Sequence, residues 1–429
     1  MGGTAAVKKQ TLGRKKMKFK MTSLEKKWVL YDVGNSAFTM LVATIFPIYF
    51  NYLAGNAGIS DADYLAYWGY ASSICTLLVA LMGPTLGAIA DTKNFKKRIF
   101  KVVLFIGVAG CVLLGFLSSW LWFLVVFVLA KVGYSASLVF YDAMLTDVTE
   151  PDRMDTVSSQ GFAWGYIGSC IPFVASLAVV LGGGSLGLSM QTSMVIAFLI
   201  TAVWWLLSAV PLLISYKQKY YVETTEHVVR NSFIRLGRTF KDIKKQKHIF
   251  VFLLAFFFFI DGVYTIIDMA TAYGQALGLD STGLLLALLL TQIVAFPSVL
   301  ILNRVAKKIN PTAVLTICIA AYLFISIYAY GLDTQMEFWI LAVLVGMFQG
   351  SVQALSRSYF GKIIPAEKSG EYFGLYDICG KGAAILGTTL VSVMTQLTGR
   401  MNVGVSAISV LFVIGLILFR KAVKLNEGR

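Results

Sequence analysis

From Trp28 to Phe419 the apolar residues come in blocks of about twenty, divided by short polar breaks. That block length is the strongest constraint on the fold. The hydrocarbon core of a bilayer is about 30 Å thick, and a helix needs about 20 residues to cross it. Inside lipid no water satisfies backbone N–H and C=O groups, so a spanning segment must be a helix or part of a closed barrel. Barrel strands alternate apolar and polar residues over about ten positions, and these blocks show no such alternation. Charged residues make up 14% of the chain and hydrophobic ones 57%, whereas a soluble domain carries about 25% charged residues. The expected fold class is an all-α integral membrane protein with twelve transmembrane helices in two six-helix bundles.

The net charge of +15 would fit a nucleic-acid partner, but its distribution argues against one. Lys and Arg cluster in alternate connections: residues 1–27, 93–101, 217–247, 304–308, 357–368 and the C-terminus. Of 37 such residues, only Lys131, Arg153, Lys381 and Arg400 fall elsewhere, and Arg153 lies in the connection between spans 4 and 5, on the same side as the basic stretches. This is the positive-inside asymmetry, which predicts a multi-pass cell-membrane protein with both termini cytoplasmic. The expected organisation is a basic cytoplasmic tail (1–27), an N-terminal bundle (28–214), a cytoplasmic linker (215–247), a C-terminal bundle (248–423) and a short tail (424–429). An amphipathic helix around residues 233–243 would lie on the membrane.

Catalytic and cofactor signatures are lacking. The five cysteines stand at scattered positions inside apolar blocks, without a CxxC pair, and read as core residues. The two histidines, His227 and His248, fall in or beside the linker, and no metal-ligand spacing surrounds them. The glycines from Gly374 to Gly382 do not make a phosphate loop, because Gly382 stands where Ser or Thr is needed. The N-terminus lacks the apolar region of a cleavable signal peptide. The expectation is no cofactor, no enzyme activity and no nucleic acid; the partners are a small-molecule solute and the lipid bilayer, with protons as a candidate coupling ion.

Several motifs punctuate the blocks. Gly83 and Gly87 precede Asp91, followed by the basic run Lys93, Lys96, Lys97 and Arg98. Small residues four apart allow helices to approach closely, and Asp91 can pair with the basic run; a plain stop-transfer cluster is the bland alternative. This segment resembles the signature loop of the major facilitator superfamily, in which the loop latches the cytoplasmic side of the outward-facing state. Asn94 and Phe95 replace the usual Gly and Arg, which leaves Lys96, Lys97 or Arg98 as the latch residue. Tyr31-Asp32-Val33-Gly34-Asn35, Phe140-Tyr141-Asp142, Gly350-Ser351-Val352-Gln353-Ala354-Leu355-Ser356-Arg357 and Glu371-Tyr372-Phe373-Gly374-Leu375-Tyr376 together resemble the branch containing the autophagy-linked vacuolar amino-acid effluxer of fungi and its bacterial relatives. The resemblance implies the twelve-span major facilitator fold and secondary transport of a solute by alternating access.

Ionisable groups inside spans are costly and usually face partners or a wet cavity. Selected by depth alone, Lys131, Asp261, Asp268, Gln349, Gln353, Asn35 and Thr39 are candidate substrate-binding or coupling residues, and they fall in spans 1, 4, 7 and 10. Those are the spans that the resemblance implies line a central cavity. Lys131 offers a cation to a carboxylate, and Asp261 or Asp268 an anion to an amine, so a zwitterion such as an amino acid satisfies both; a fixed Lys131–Asp261 ion pair is the alternative. Candidate gate residues are Asp32, Asp91, Lys96, Lys97, Arg98, Asp142, Arg357, Asp377 and Lys381. Arg357 either reaches headgroups or pairs with Asp142, and Asp377 with Lys381 fits an intrahelical pair four residues apart. Polyspecific export of amphipathic compounds and a non-transporting receptor or scaffold remain as other functions.

Overall fold

The computed structural model describes residues 19–223, 228–243 and 245–428. Residues 1–18 of the expected basic tail lie outside the described residues. The first half contains α1 (Ser23–Ala43), α2 (Ile45–Asn56), α3 (Asp61–Ala90), α4 (Phe95–Leu114), α5 (Trp120–Ala143), α6 (Leu145–Val148), α7 (Met154–Gly182) and α8 (Met190–Ser215). The linker holds α9 (Val228–Ile243). The second half contains α10 (Lys247–Ala276), α11 (Ser281–Lys308), α12 (Pro311–Tyr328), α13 (Gln335–Ile363), α14 (Ser369–Thr398), α15 (Met401–Ala407) and α16 (Ser409–Glu427).

Three passages are interrupted by a single residue: α1 and α2 at Thr44, α5 and α6 at Met144, and α15 and α16 at Ile408. The described helices therefore make twelve passages, six on each side of the linker. Among the described residues, ten are long and apolar enough to cross a bilayer. The other two are more polar at their starts: α4 carries Lys96, Lys97, Arg98 and Lys101, and α14 carries Glu371, Asp377 and Lys381.

The polar breaks set the helix starts. At Thr22 the hydroxyl accepts from the Glu25 amide at 3.2 Å while the Glu25 carboxylate accepts from the Thr22 amide at 2.7 Å. Thr334 and Glu337 repeat this reciprocal cap on α13, and Ser60, Ser189, Asp280 and Asn310 cap α3, α8, α11 and α12 through one side chain each. Each cap satisfies an amide that the first helical turn leaves free.

Apolar packing follows the two halves. One core runs from Trp28 to Tyr216; the other, which also takes in Ala143, runs from Ile243 to Ala422. The halves meet where α3 packs on α14, α7 on α11 and α13, and α5 on α14. The α3–α14 contact depends on glycine. A Cβ on Gly374 would fall 2.6 Å from the Gly83 carbonyl oxygen, and one on Gly370 2.6 Å from that of Gly87. The spaced small residues of α3 thus act as a seam for a second helix.

The linker is tied to the first half. The Val222 amide donates to the Asp91 carbonyl at 2.8 Å, and Gln218 Nε2 to the Ala90 carbonyl at 3.1 Å. The expected amphipathic helix exists, but it starts at Val228 and docks on α3, where Ser232 donates to the Ala88 carbonyl at 3.3 Å. Leu236 and Ile243 face the protein, while Val229 and Phe233 are exposed.

Candidate functional site

Between the halves lies a chamber of about 400 Å³, whose wall mixes polar groups with apolar side chains such as Met40, Leu138, Phe162 and Ile267. α1 contributes Asp32, Asn35 and Thr39; α5 contributes Tyr134 and Asp142; α7 contributes Tyr166. The second half adds Asp268 from α10, Gln292 from α11, Gln349, Gln353 and Arg357 from α13, and Tyr376 and Asp377 from α14. Among these described lining residues, four carboxylates face one guanidinium. Polar contacts order the wall. Gln353 Nε2 donates to Tyr166 Oη at 3.2 Å across the two halves and to the Gln349 carbonyl at 3.1 Å. Thr39 and Tyr134 share a hydroxyl–hydroxyl bond. Gln349 is buried and its Nε2 has no hydrogen-bond partner.

The chamber is closed at its Lys- and Arg-rich end by Arg357. Its Nη1 donates to Asp142 Oδ1 at 2.9 Å, its Nε to Ser158 Oγ at 2.9 Å, and its Nη2 to the Ser158 carbonyl at 3.1 Å. Nη2 also lies 3.6 Å from Asp32 Oδ2. The planar guanidinium sits over the rings of Phe162 at 4.3 Å and Trp28 at 4.7 Å, a geometry that a lysine ammonium could not match. Asp32 is held in turn by Tyr141 Oη at 3.1 Å and by Asn35 Nδ2 at 3.4 Å. An arginine of the second half is thus clamped by two aspartates of the first. Beside it, Asp155 of α7 accepts from Ser358 Oγ at 2.7 Å and pairs with Lys362.

A second inter-half junction lies at the end of α3. Asp91 is fully buried and accepts from the Gly370 amide at 2.7 Å and the Glu371 amide at 2.9 Å. These amides belong to the first turn of α14, where unpaired N–H groups and the helix dipole favour an anion. Lys96 Nζ lies 3.8 Å from Asp91, donates to Ser369 Oγ at 2.7 Å and pairs with Asp147 Oδ2 at 3.2 Å. Burial pushes the Asp91 carboxyl up, to about 7, against the pull of Lys96 and the two amides. Asp147 Oδ2 also accepts from the Tyr216 hydroxyl, and its Oδ1 accepts from the Lys219 amide at 3.0 Å and the Tyr220 amide at 2.9 Å. One carboxylate therefore holds the linker and the latch lysine together.

The structure brings together Asp32, Asn35, Thr39, Asp142, Asp268, Gln349, Gln353, Arg357 and Asp377 around one chamber. Of the three candidate latch bases, Lys96 occupies the junction. Lys97 reaches the Ile214 carbonyl at 3.4 Å, and Arg98 lies over Phe95. Lys131 stands outside the chamber lining, 3.5 Å from Ser72 Oγ and 5.5 Å from the centre of the Phe127 ring, and its charge acts on Asp268. No ion pair links Lys131 to Asp261 among the described residues. Asp261 lies outside the chamber lining and faces α14, where it accepts from the Gly387 amide at 3.1 Å. The Lys381 side chain lies outside the described residues, so the Asp377–Lys381 pair is not described.

Sequence reasoning overlooked Tyr134, Ser158, Tyr166, Gln292 and Asp147. Gln292 is polar within an apolar span and was detectable on that ground. Tyr134 lies one helical turn from Lys131. Asp147 and Ser158 stand beside the α6–α7 turn, where a polar residue carries no signal of its own.

The comparisons with known proteins agree with this fold. The family model described as "Vacuole effluxer Atg22 like" matches residues 23–429. The "Uncharacterized MFS-type transporter YxiO" of Bacillus subtilis is 43% identical over 93% of this chain and 94% of its own length. The "Autophagy-related protein 22" of Cryptococcus neoformans is 26% identical over 62% of this chain, and the match spans only 50% of that longer protein. Among solved structures, the bacterial homologue of the iron transporter ferroportin in its outward-facing state superposes with a TM-score of 0.69 at 14% identity, covering 94% of this chain and 98% of that one. The major facilitator transporter FucP in its outward conformation gives 0.68 at 13% identity, covering 93% and 97%. At such identities the structures support the fold alone. With the family match covering nearly every described residue, this chain belongs to the Atg22-like vacuole effluxer family, a branch of the major facilitator superfamily of membrane transporters.

Proposed function

We propose that the chain is a secondary transporter for a small solute bearing a cationic amine, with amino acids and similar zwitterions as the class that fits best. The observation that carries this reading is the chamber lining: Asp32, Asp142, Asp268 and Asp377 face Arg357 alone among the described lining residues. An amine finds carboxylates in that space. Arg357 at one end offers a counter-charge for a carboxylate. A volume of about 400 Å³ suits a small molecule, as such sites occupy roughly 300–1,000 Å³.

In this reading the Lys- and Arg-rich end is cytoplasmic. The Arg357 clamp and the Asp91 junction close that end, so the conformation is outward-facing, and transport requires both to open as the halves rock. The test is flux in proteoliposomes across a panel of amino acids, simple amines and simple carboxylates. Saturable movement of amino acids or amines is expected. Movement of carboxylates alone, or of no panel member, removes the reading.

A further inference from the structure

Asp261 stands midway along α10 and is fully buried, yet it takes no part in the chamber. Its Oδ1 accepts from the Gly387 amide at 3.1 Å and from Thr265 Oγ1 at 3.3 Å. Its Oδ2 has no hydrogen-bond partner, and no basic side chain among the described residues pairs with it. The approach of α14 depends on glycine, since a Cβ on residue 387 would fall 2.8 Å from Asp261 Oδ1. α16 meets this stretch of α10 through Phe412 and Gly415.

The titratable groups along the middle of the surrounding helices include Cys318 and Tyr322 of α12, Tyr359 of α13, and Tyr376, Asp377, Cys379 and Lys381 of α14, while those of α16 stand at its end, from Arg420 onward. α10 itself adds Tyr264 and Asp268. None of the described side chains among these bonds to Asp261. An ionised carboxylate with a bare oxygen and no cation is costly at this depth, whereas the neutral acid is tolerated. A multiply ligated metal ion needs six or so oxygens, and the site offers a carboxylate and one hydroxyl. A cavity of about 20 Å³ borders Thr265 and runs along α10 past Met269 to Tyr273, with room for about one water molecule.

We propose that Asp261 is a proton-binding site separate from the solute chamber. It holds a proton in this conformation and releases it to water when α10 and α14 shift and the Thr265–Gly387 cradle opens. Its use in coupling rests on the transport reading; its protonation does not.

Two measurements on the intact protein in proteoliposomes test this. Infrared spectra near neutral pH should contain a protonated-carboxyl stretch that Asp261→Asn removes. Solute accumulation with a proton gradient, divided by accumulation without one, should exceed one several-fold in the wild type and fall to about one in Asp261→Asn. A wild-type spectrum without that band overturns the proposal, as does an Asp261→Asn protein that keeps the wild-type ratio. Thr265→Val keeps the carboxyl and removes one donor, so the band should persist at a shifted frequency. An unshifted band overturns the assignment even if Asp261→Asn fails to fold. A wild type that moves no solute under any condition defeats the transport reading, while the infrared result still decides whether Asp261 carries a proton.

Discussion

Arg357 of α13 and Asp142 of α5 meet at 2.9 Å between Nη1 and Oδ1, and this contact joins the two halves at the floor of the chamber. Removing one partner of a buried ion pair costs about 3–5 kcal/mol, because the other charge is left uncompensated. Asp142→Asn should cost less than Arg357→Gln, since Arg357 retains Asp32 and Ser158, whereas Arg357→Gln strands two aspartates. Thermal unfolding of the purified variants should rank them in that order. Equal melting temperatures would remove the clamp from the account.

The Asp91 junction should respond to pH. Its carboxyl is raised from the ordinary 3.8 to about 7 in the docked state, so docking takes up a proton. A raised acid of this kind stabilises the docked state fully below pH about 3.8 and loses that contribution as pH rises toward about 7. The ratio of docked to undocked molecules should therefore fall about tenfold per pH unit within that window. Hydrogen exchange at the Gly370 and Glu371 amides reads it directly. Faster exchange at pH 7 than at pH 5, after correction for intrinsic rates, is expected, and Asp91→Asn should abolish the difference.

Gly370→Ala should weaken the same junction by a steric route. The added Cβ would fall 2.6 Å from the Gly87 carbonyl oxygen and 2.8 Å from Asp91 Oδ1, where backbone and a bonded carboxylate leave little room to yield. Overpacking of this kind costs about 1–3 kcal/mol. Protection of residues 83–91 and 370–374 in hydrogen exchange should fall together, while protection at the far ends of α3 and α14 is kept.

Asp268→Asn should raise the half-saturating concentration of amine-bearing solutes. A hydrogen bond to a charged group contributes about 1.5–3 kcal/mol, which corresponds to roughly tenfold or more in affinity. Simple carboxylates should be bound no worse by this variant. An unchanged affinity for amines would take Asp268 out of solute recognition.

Asp147→Ala should loosen the linker. It removes the acceptor shared by the Lys219 and Tyr220 amides and the partner of Lys96. Exchange across residues 216–222 should rise by an order of magnitude or more, as expected for losing about 1–3 kcal/mol of buried hydrogen bonding.

The architecture was legible because lipid sets helix length and membrane insertion sets the alternation of basic loops; both leave marks that one sequence suffices to show. The floor was partly legible, since Asp32, Asp142 and Arg357 are charges that a span carries only with a partner. Which of the open pairings Arg357 makes was not, because contacts between distant helices leave no periodic trace. Asp261 shows the harder limit. α10 is phenylalanine-rich on every side, so its hydrophobic pattern does not fix which face turns inward; depth was readable and rotation was not. The linker's hold on Asp147 escaped for a similar reason, as residues 216–222 form irregular chain whose amides are paired by contacts remote in sequence.

Val222 is bonded to Asp91, and Ser232 to the end of α3, so the linker is fastened to the first half along most of its described length. Its last residue in α9, Ile243, instead joins the core of the second half, and α9 touches α10 as well as α3. α9 is therefore a strap across the basic side of the two bundles. Any rocking of one half against the other must strain or release one of its two attachments.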